Sequence, residues 1–178
     1  MFLWPNNLIN NSNMEQQKSG YTLVELLMVI MVIGVMAGFG LTKYPGVQKS
    51  SRDTNRRSDL KQIQTALENY ANIKGGFYPS RNSGVLVSTL CTTYLGINNC
   101  PPDPHSGRND CHGVCDYYFS SNGSCAVGSP CASQYVLYAR LEKNSNTNLF
   151  VVYCSNGESK DVVVNDITLF GGGTCTNG

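Results

Sequence analysis

The chain has 178 residues, a formal net charge of +1 and a charged fraction of 14%. No basic or acidic excess points to nucleic acid or another charged polymer, so DNA is not an expected partner. Eight cysteines, all between Cys91 and Cys175, make disulfides and an oxidising compartment the expectation for the C-terminal half.

The chain opens with Met1-Phe2-Leu3-Trp4-Pro5 and an Asn-rich run, unlike a compact cytoplasmic leader. Met14 to Gly20 is like one, and translation is expected to start at Met14. From Leu26 to Leu41 no charge or strongly polar group occurs. Tyr21 to Leu41, as a helix, spans about 31 Å, enough to cross a bilayer. No A-x-A-like cleavage site follows, because Met36-Ala37-Gly38-Phe39-Gly40 leads directly towards Lys43 and Tyr44. The apolar segment is therefore expected to be retained. Glu25 breaks its pattern. A carboxylate in hydrocarbon is costly and by default functional and paired. The plain alternative is a signal anchor tolerating an acid near the membrane surface.

Lys18-Ser19-Gly20 followed by Tyr21-Thr22-Leu23-Val24-Glu25-Leu26-Leu27 resembles the type III signal of type IV pilins and pseudopilins. The resemblance implies that a prepilin peptidase cuts between Gly20 and Tyr21 on the cytoplasmic side and methylates the new amine. The usual first residue of the family is Phe or Met, where this chain has Tyr21. Glu25 would meet the Tyr21 amine of a neighbouring subunit, and any other axial register would leave a buried charge unmatched. The implied partners are copies of the chain, other pilin-like subunits, the peptidase, an inner-membrane assembly platform and membrane lipid. The implied location is the inner membrane, single-pass with a cytoplasmic N-terminus, and then a periplasmic or extracellular filament. One rule points the other way. Lys18 alone precedes the span, whereas Lys43, Lys49, Arg52, Arg56 and Arg57 follow it, and basic residues favour the cytoplasmic side. The cleavage motif and the cysteines favour the opposite topology.

Gly34, Gly38, Gly40, Pro45 and Gly46 punctuate the helix, and a kink or loosening is expected between Gly38 and Gly46. Gly34-x-x-x-Gly38 also has the spacing of close helix packing in membranes. From Ser51 to Ile73 an amphipathic pattern follows. Leu60, Ile63, Leu67 and Tyr70, with Ala66 and Ile73, are expected on the apolar face. Arg52, Arg56, Lys61, Glu68 and Asn69 are expected opposite, with Arg52, Arg56 and Arg57 either solvated or touching headgroups or a neighbour's acid. Gly75-Gly76 marks the stop. Val85 to Leu90 is compatible with a strand or a helix, and Pro101 to Pro104 forms a rigid turn. Strands are expected around Tyr117–Phe119, Tyr135–Leu141, Leu149–Cys154 and Asp161–Val164, with a hairpin at Asn156-Gly157 and alternation making the second strand half-buried.

The expected fold is α+β. A long N-terminal helix, with a membrane half and an amphipathic half, packs on a small antiparallel β-sheet with a disulfide-rich loop region. The boundaries are 1–20 leader, 21–43 span, 44–75 amphipathic continuation and 76–178 Cys-rich head. The order of helix, Phe77-Tyr78-Pro79, a Pro-Asp-Pro turn and the aromatic strands resembles pilin-like proteins grouped with the major pseudopilin of type II secretion. Asp110 to Cys131 departs from that pattern.

Cys154–Cys175, Cys91–Cys100 and Cys125–Cys131 are the candidate bridges, and Cys111 and Cys115 form the tightest pair in sequence. No C-x-x-C supports zinc. His105 and His112 read as loop residues, and Gly171-Gly172-Gly173 lacks the frame of a phosphate loop. The resemblance allows calcium near Asp161 and Asp166, whose spacing is not that of a regular oxygen-ligand loop, and no cofactor is expected. No catalytic constellation is found, and the resemblance implies a structural filament subunit rather than an enzyme. The alternative is a monomeric membrane-anchored extracytoplasmic module whose cysteine-rich loop binds a ligand.

Overall fold

A computed structural model of the chain describes residues 20–109, 111, 113–143, 148–164, 172–173 and 175, without the side chains of residues 41 and 42. The chain divides into two compact units, Met1–Thr42 and Lys43–Gly178. Helix α1 runs Leu23–Ile73 and keeps its helical backbone through Gly38, Gly40, Pro45 and Gly46.

In the first unit, Thr22 caps the helix. The Glu25 N–H donates to Thr22 Oγ1 at 3.2 Å, and the Leu26 N–H donates to the Thr22 carbonyl at 3.2 Å. The first satisfies a donor that the first helical turn would otherwise leave unpaired, and the second is the helix's first regular backbone bond. The stretch Leu23–Gly40 is long and apolar enough to cross a membrane, and none of it is buried. Its exposed Leu, Val, Ile and Met side chains need lipid or other helices around them.

In the second unit the helix buries Leu60, Ile63, Leu67 and Ala71. Ala71, not Ile73, ends this stripe, and Ile73 is 80% exposed. Six residues beyond Leu67 place Ile73 about 120° off the stripe, whereas four residues return Ala71 to it. Gly75 and Gly76 then stop the helix at positive φ, 70° and 90°, with the Gly76 N–H on the Ala71 carbonyl at 2.8 Å.

The head carries strands β1 (Tyr78–Pro79), β2 (Val85–Leu86), β3 (Tyr117–Ser121), β4 (Pro130–Ala132), β5 (Tyr135–Arg140), β6 (Leu149–Cys154) and β7 (Ser159–Val163). β1 pairs with β4, and the larger antiparallel sheet has the order β2-β3-β5-β6-β7. The segment left open in sequence is both things in turn. β2 leads into helix α2 (Val87–Thr89) and a π-helical turn at Leu90–Leu95, closed by Gly96 at φ 68°.

Strand β5 overturns the half-buried expectation. Tyr135, Leu137 and Ala139 pack with Leu60, Ile63 and Leu67 in the core under α1. Val136 and Tyr138 lie in a second cluster with Phe150, Val152, Cys154 and Val164. Alternation placed residues on two faces correctly, but both faces are covered, as for a strand inside a layered structure.

Candidate assembly site and the ionic clamp on the helix

Gly20 and Tyr21 precede the helix, and Tyr21 is 82% exposed. A Cβ added at Gly20 would meet nothing within 4 Å, so packing does not demand glycine there. The same holds at Gly34 and Gly38, which leaves a surface on which another helix can approach closely. Glu25 is exposed on the apolar helix, and among the described residues no cation pairs with it. Thr22-Leu23-Val24-Glu25 has the spacing of a capping box. That signal lay in the sequence unread, and the structure makes the bond from the Glu25 N–H to the threonine.

The largest correction concerns the basic residues after the span. Arg56 is not on a solvated face but fully buried. Its Nε and Nη2 donate to Asp103 at 2.7 and 3.0 Å, its Nη1 to Asp53 at 2.8 Å, and its Nη2 also to Glu142 at 2.6 Å. Arg52 Nε lies 3.0 Å from both carboxylate oxygens of Glu142. Arg57 Nη2 reaches Asp161 at 2.7 Å on the surface. Three carboxylates therefore face two guanidiniums around Arg56. The excess acid, Asp53, accepts the backbone N–H of Glu142 at 2.9 Å and of Lys143 at 2.8 Å. Burial opposes the charge on Arg56, but Asp103 and Glu142 outweigh it and raise its pKa. Burial also pushes the Glu142 carboxyl up, and the hydrogen bonds from Arg52 and Arg56 outweigh that, leaving it below the usual carboxylate range.

This cluster fixes the helix to the head in one register, because any slip strands buried charge. Asp103 comes from the proline turn and Glu142 from the end of β5, neither of which the sequence could tie to Arg56. Asp53, three residues before Arg56, was a legible partner. Lower on the helix, Glu68 accepts the hydroxyls of Tyr78 and Tyr135 at 2.9 and 2.8 Å, and Asp59 accepts that of Tyr117 at 2.6 Å. Glu68, expected on the polar face, thus binds both β1 and the core strand β5.

The cysteines pair as Cys91–Cys100, Cys111–Cys115, Cys125–Cys131 and Cys154–Cys175, with Cα separations of 6.2, 5.5, 6.4 and 6.1 Å. All lie within the range of ordinary bridges. Asp161, a weak calcium candidate, is the partner of Arg57, and Asp166 lies outside the described residues. Among the described residues no group of three or more His, Cys, Asp or Glu is placed to hold a metal ion. His105 sits in the loop after Asp103, whose Oδ1 accepts its backbone N–H at 2.8 Å, and His112 lies outside the described residues.

Residues 16–41 match the family model of the prokaryotic N-terminal methylation motif. The chain is 29% identical over 70 residues to the type II secretion system core protein G of Pseudomonas aeruginosa, covering 39% of this chain and 49% of that protein. It is 26% identical over 99 residues to the type II secretion system core protein G of Dickeya chrysanthemi, covering 54% and 59%. It is 26% identical over 81 residues to the type IV major pilin protein PilA of Myxococcus xanthus, covering 40% and 37%. The chain spans about half the length of the curated relatives it matches. No solved structure matches it.

Proposed function

We propose, from the premise that the chain belongs to the pilin and pseudopilin family, that it is a structural subunit of a type IV pilus-like or type II secretion pseudopilus filament. In this reading the peptidase cuts after Gly20, Tyr21 becomes the methylated N-terminus, and the subunit is stored in the inner membrane with that end in the cytoplasm. The assembly platform then moves it into a periplasmic or extracellular filament. No catalytic step is assigned to it.

The observation that carries the reading is the helical stretch Leu23–Gly40, none of it buried, whose one acid, Glu25, has no cation among the described residues. Both needs are met at once when parallel copies pack together. Apolar side chains exchange lipid for neighbouring helices, and each Glu25 meets the amine of an adjacent Tyr21. The head, closed by disulfides and clamped to the helix, forms the outer coat.

Two measurements test this. N-terminal sequencing of the processed chain is expected to begin at Tyr21, and any other start removes the premise of a new amine. Glu25→Ala is expected to leave the monomer in the membrane while abolishing filaments sheared from cells. Unchanged filaments would sink the pairing, and a wild-type chain that never polymerises would favour the membrane-anchored binding module.

A further inference from the structure

The five cations after the span oppose the proposed topology when simply counted. The structure separates them into two groups. Arg52, Arg56 and Arg57 are engaged by Glu142, by Asp53, Asp103 and Glu142, and by Asp161. Lys43 and Lys49 are exposed and make no ion pair among the described residues. Between and beside them, from Lys43 to Arg52, there is no Asp or Glu. Tyr44 and Val47 in the same stretch are 62% and 65% exposed.

We infer that Lys43, Tyr44 and Lys49, spaced around the helix rather than along one face, form a collar that binds anionic phospholipid headgroups of the outer leaflet while the subunit waits in the membrane. The inference rests on the membrane-stored state proposed above. Lys43 follows Gly40, the end of the apolar stretch, by three residues, which span at most about 10 Å whatever path the chain takes. From there its long side chain can reach the headgroup layer. Lys49 stands about 9 Å further along α1, and its side chain can extend back towards phosphate. Tyr44 supplies the amphipathic ring that favours the interface between hydrocarbon and water. Two unopposed cations and an aromatic ring complement a negative lipid surface. Arg56 is buried, and Arg52 and Arg57 are each already paired with an acid of the head.

The test uses the full chain reconstituted in phosphatidylcholine vesicles containing a fixed share of phosphatidylglycerol. Spin-labelled lipids report which species surrounds the protein. Phosphatidylglycerol is expected to be enriched over phosphatidylcholine at low salt, by up to roughly fivefold per lysine. K43Q and K49Q are each expected to reduce the enrichment, K43Q/K49Q to remove it, and K74Q to leave it unchanged. No enrichment in the unmodified chain, enrichment that survives K43Q/K49Q, or an equal loss in K74Q overturns the inference. The result is independent of filament formation. A chain that selects phosphatidylglycerol but does not polymerise sinks the filament reading alone, and one that polymerises without lipid selectivity sinks this inference alone.

Discussion

Replacing Arg56 by methionine removes the centre of the buried cluster while filling most of its volume. The three acids do not lose equally. Asp53 keeps two backbone N–H donors, and Glu142 keeps Arg52. Asp103 loses both guanidinium bonds and, among the described residues, keeps only the His105 N–H. Most of the cost therefore falls on one buried carboxylate that cannot reach water. Breaking a buried pair by removing one partner costs about 3–5 kcal/mol. That is a large part of the 5–15 kcal/mol or so that holds a typical domain together. The assay is urea unfolding of the full chain in detergent micelles, followed by the near-ultraviolet dichroism of the head tyrosines. R56M is expected to lower unfolding free energy by about 3–5 kcal/mol. R56M/D103N, which neutralises the stranded acid, is expected to regain about 1–2 kcal/mol. If R56M loses less than about 1 kcal/mol, or the double variant is no more stable than the single, the clamp is not what the distances imply.

Glu142 titrates below its unfolded value, so its contribution is present above about pH 4.3 and is lost as pH falls through its folded pKa. Urea midpoints taken between neutrality and about pH 3 should fall for the wild type, and E142Q should flatten part of that dependence. Removing Cys154–Cys175, which closes the longest loop at a sequence separation of 21, is expected to cost about 3 kcal/mol. The same unfolding assay on C154A/C175A under oxidising conditions checks it. Leu67→Ala, fully buried, should cost about 2–5 kcal/mol, whereas Ile73→Ser should stay within about 0.5 kcal/mol. Comparable losses for the two would restore Ile73 to the apolar stripe. Burial and Glu68 push the Tyr78 hydroxyl up to about 12, so an ultraviolet titration should show it ionising well after exposed tyrosines.

Local periodicity carried most of the fold. Leu60, Ile63 and Leu67 fell on the buried face as their spacing required, and Asn156-Gly157 marked the turn between β6 and β7. The candidate bridges Cys91–Cys100, Cys125–Cys131 and Cys154–Cys175 are the pairs that form, and Cys111–Cys115, noted only for its close spacing, makes the fourth. What failed was non-local. Nothing about Arg56 in sequence reveals that a proline turn 47 residues on and a strand end 86 residues on will bring carboxylates to it. A charged residue on a helix reads as solvated until the tertiary partner is known. For the same reason β5 looked half-buried, since alternation reports two faces but not what covers the second. The N-terminal methylation motif was legible because it is a contiguous run of residues that needs no tertiary partner to be recognised.

Strand β5 is paired along both edges, with β3 and β6, and covered on both faces. Its amide protons consequently have no path to solvent through local fraying, and should exchange with deuterium only when the entire head opens. The two-residue β2 and the outermost β7 each pair along one edge among the described residues and should exchange through smaller fluctuations. Mechanical or proteolytic insult would then act on the head first at its periphery, with its central ribbon the last part to yield.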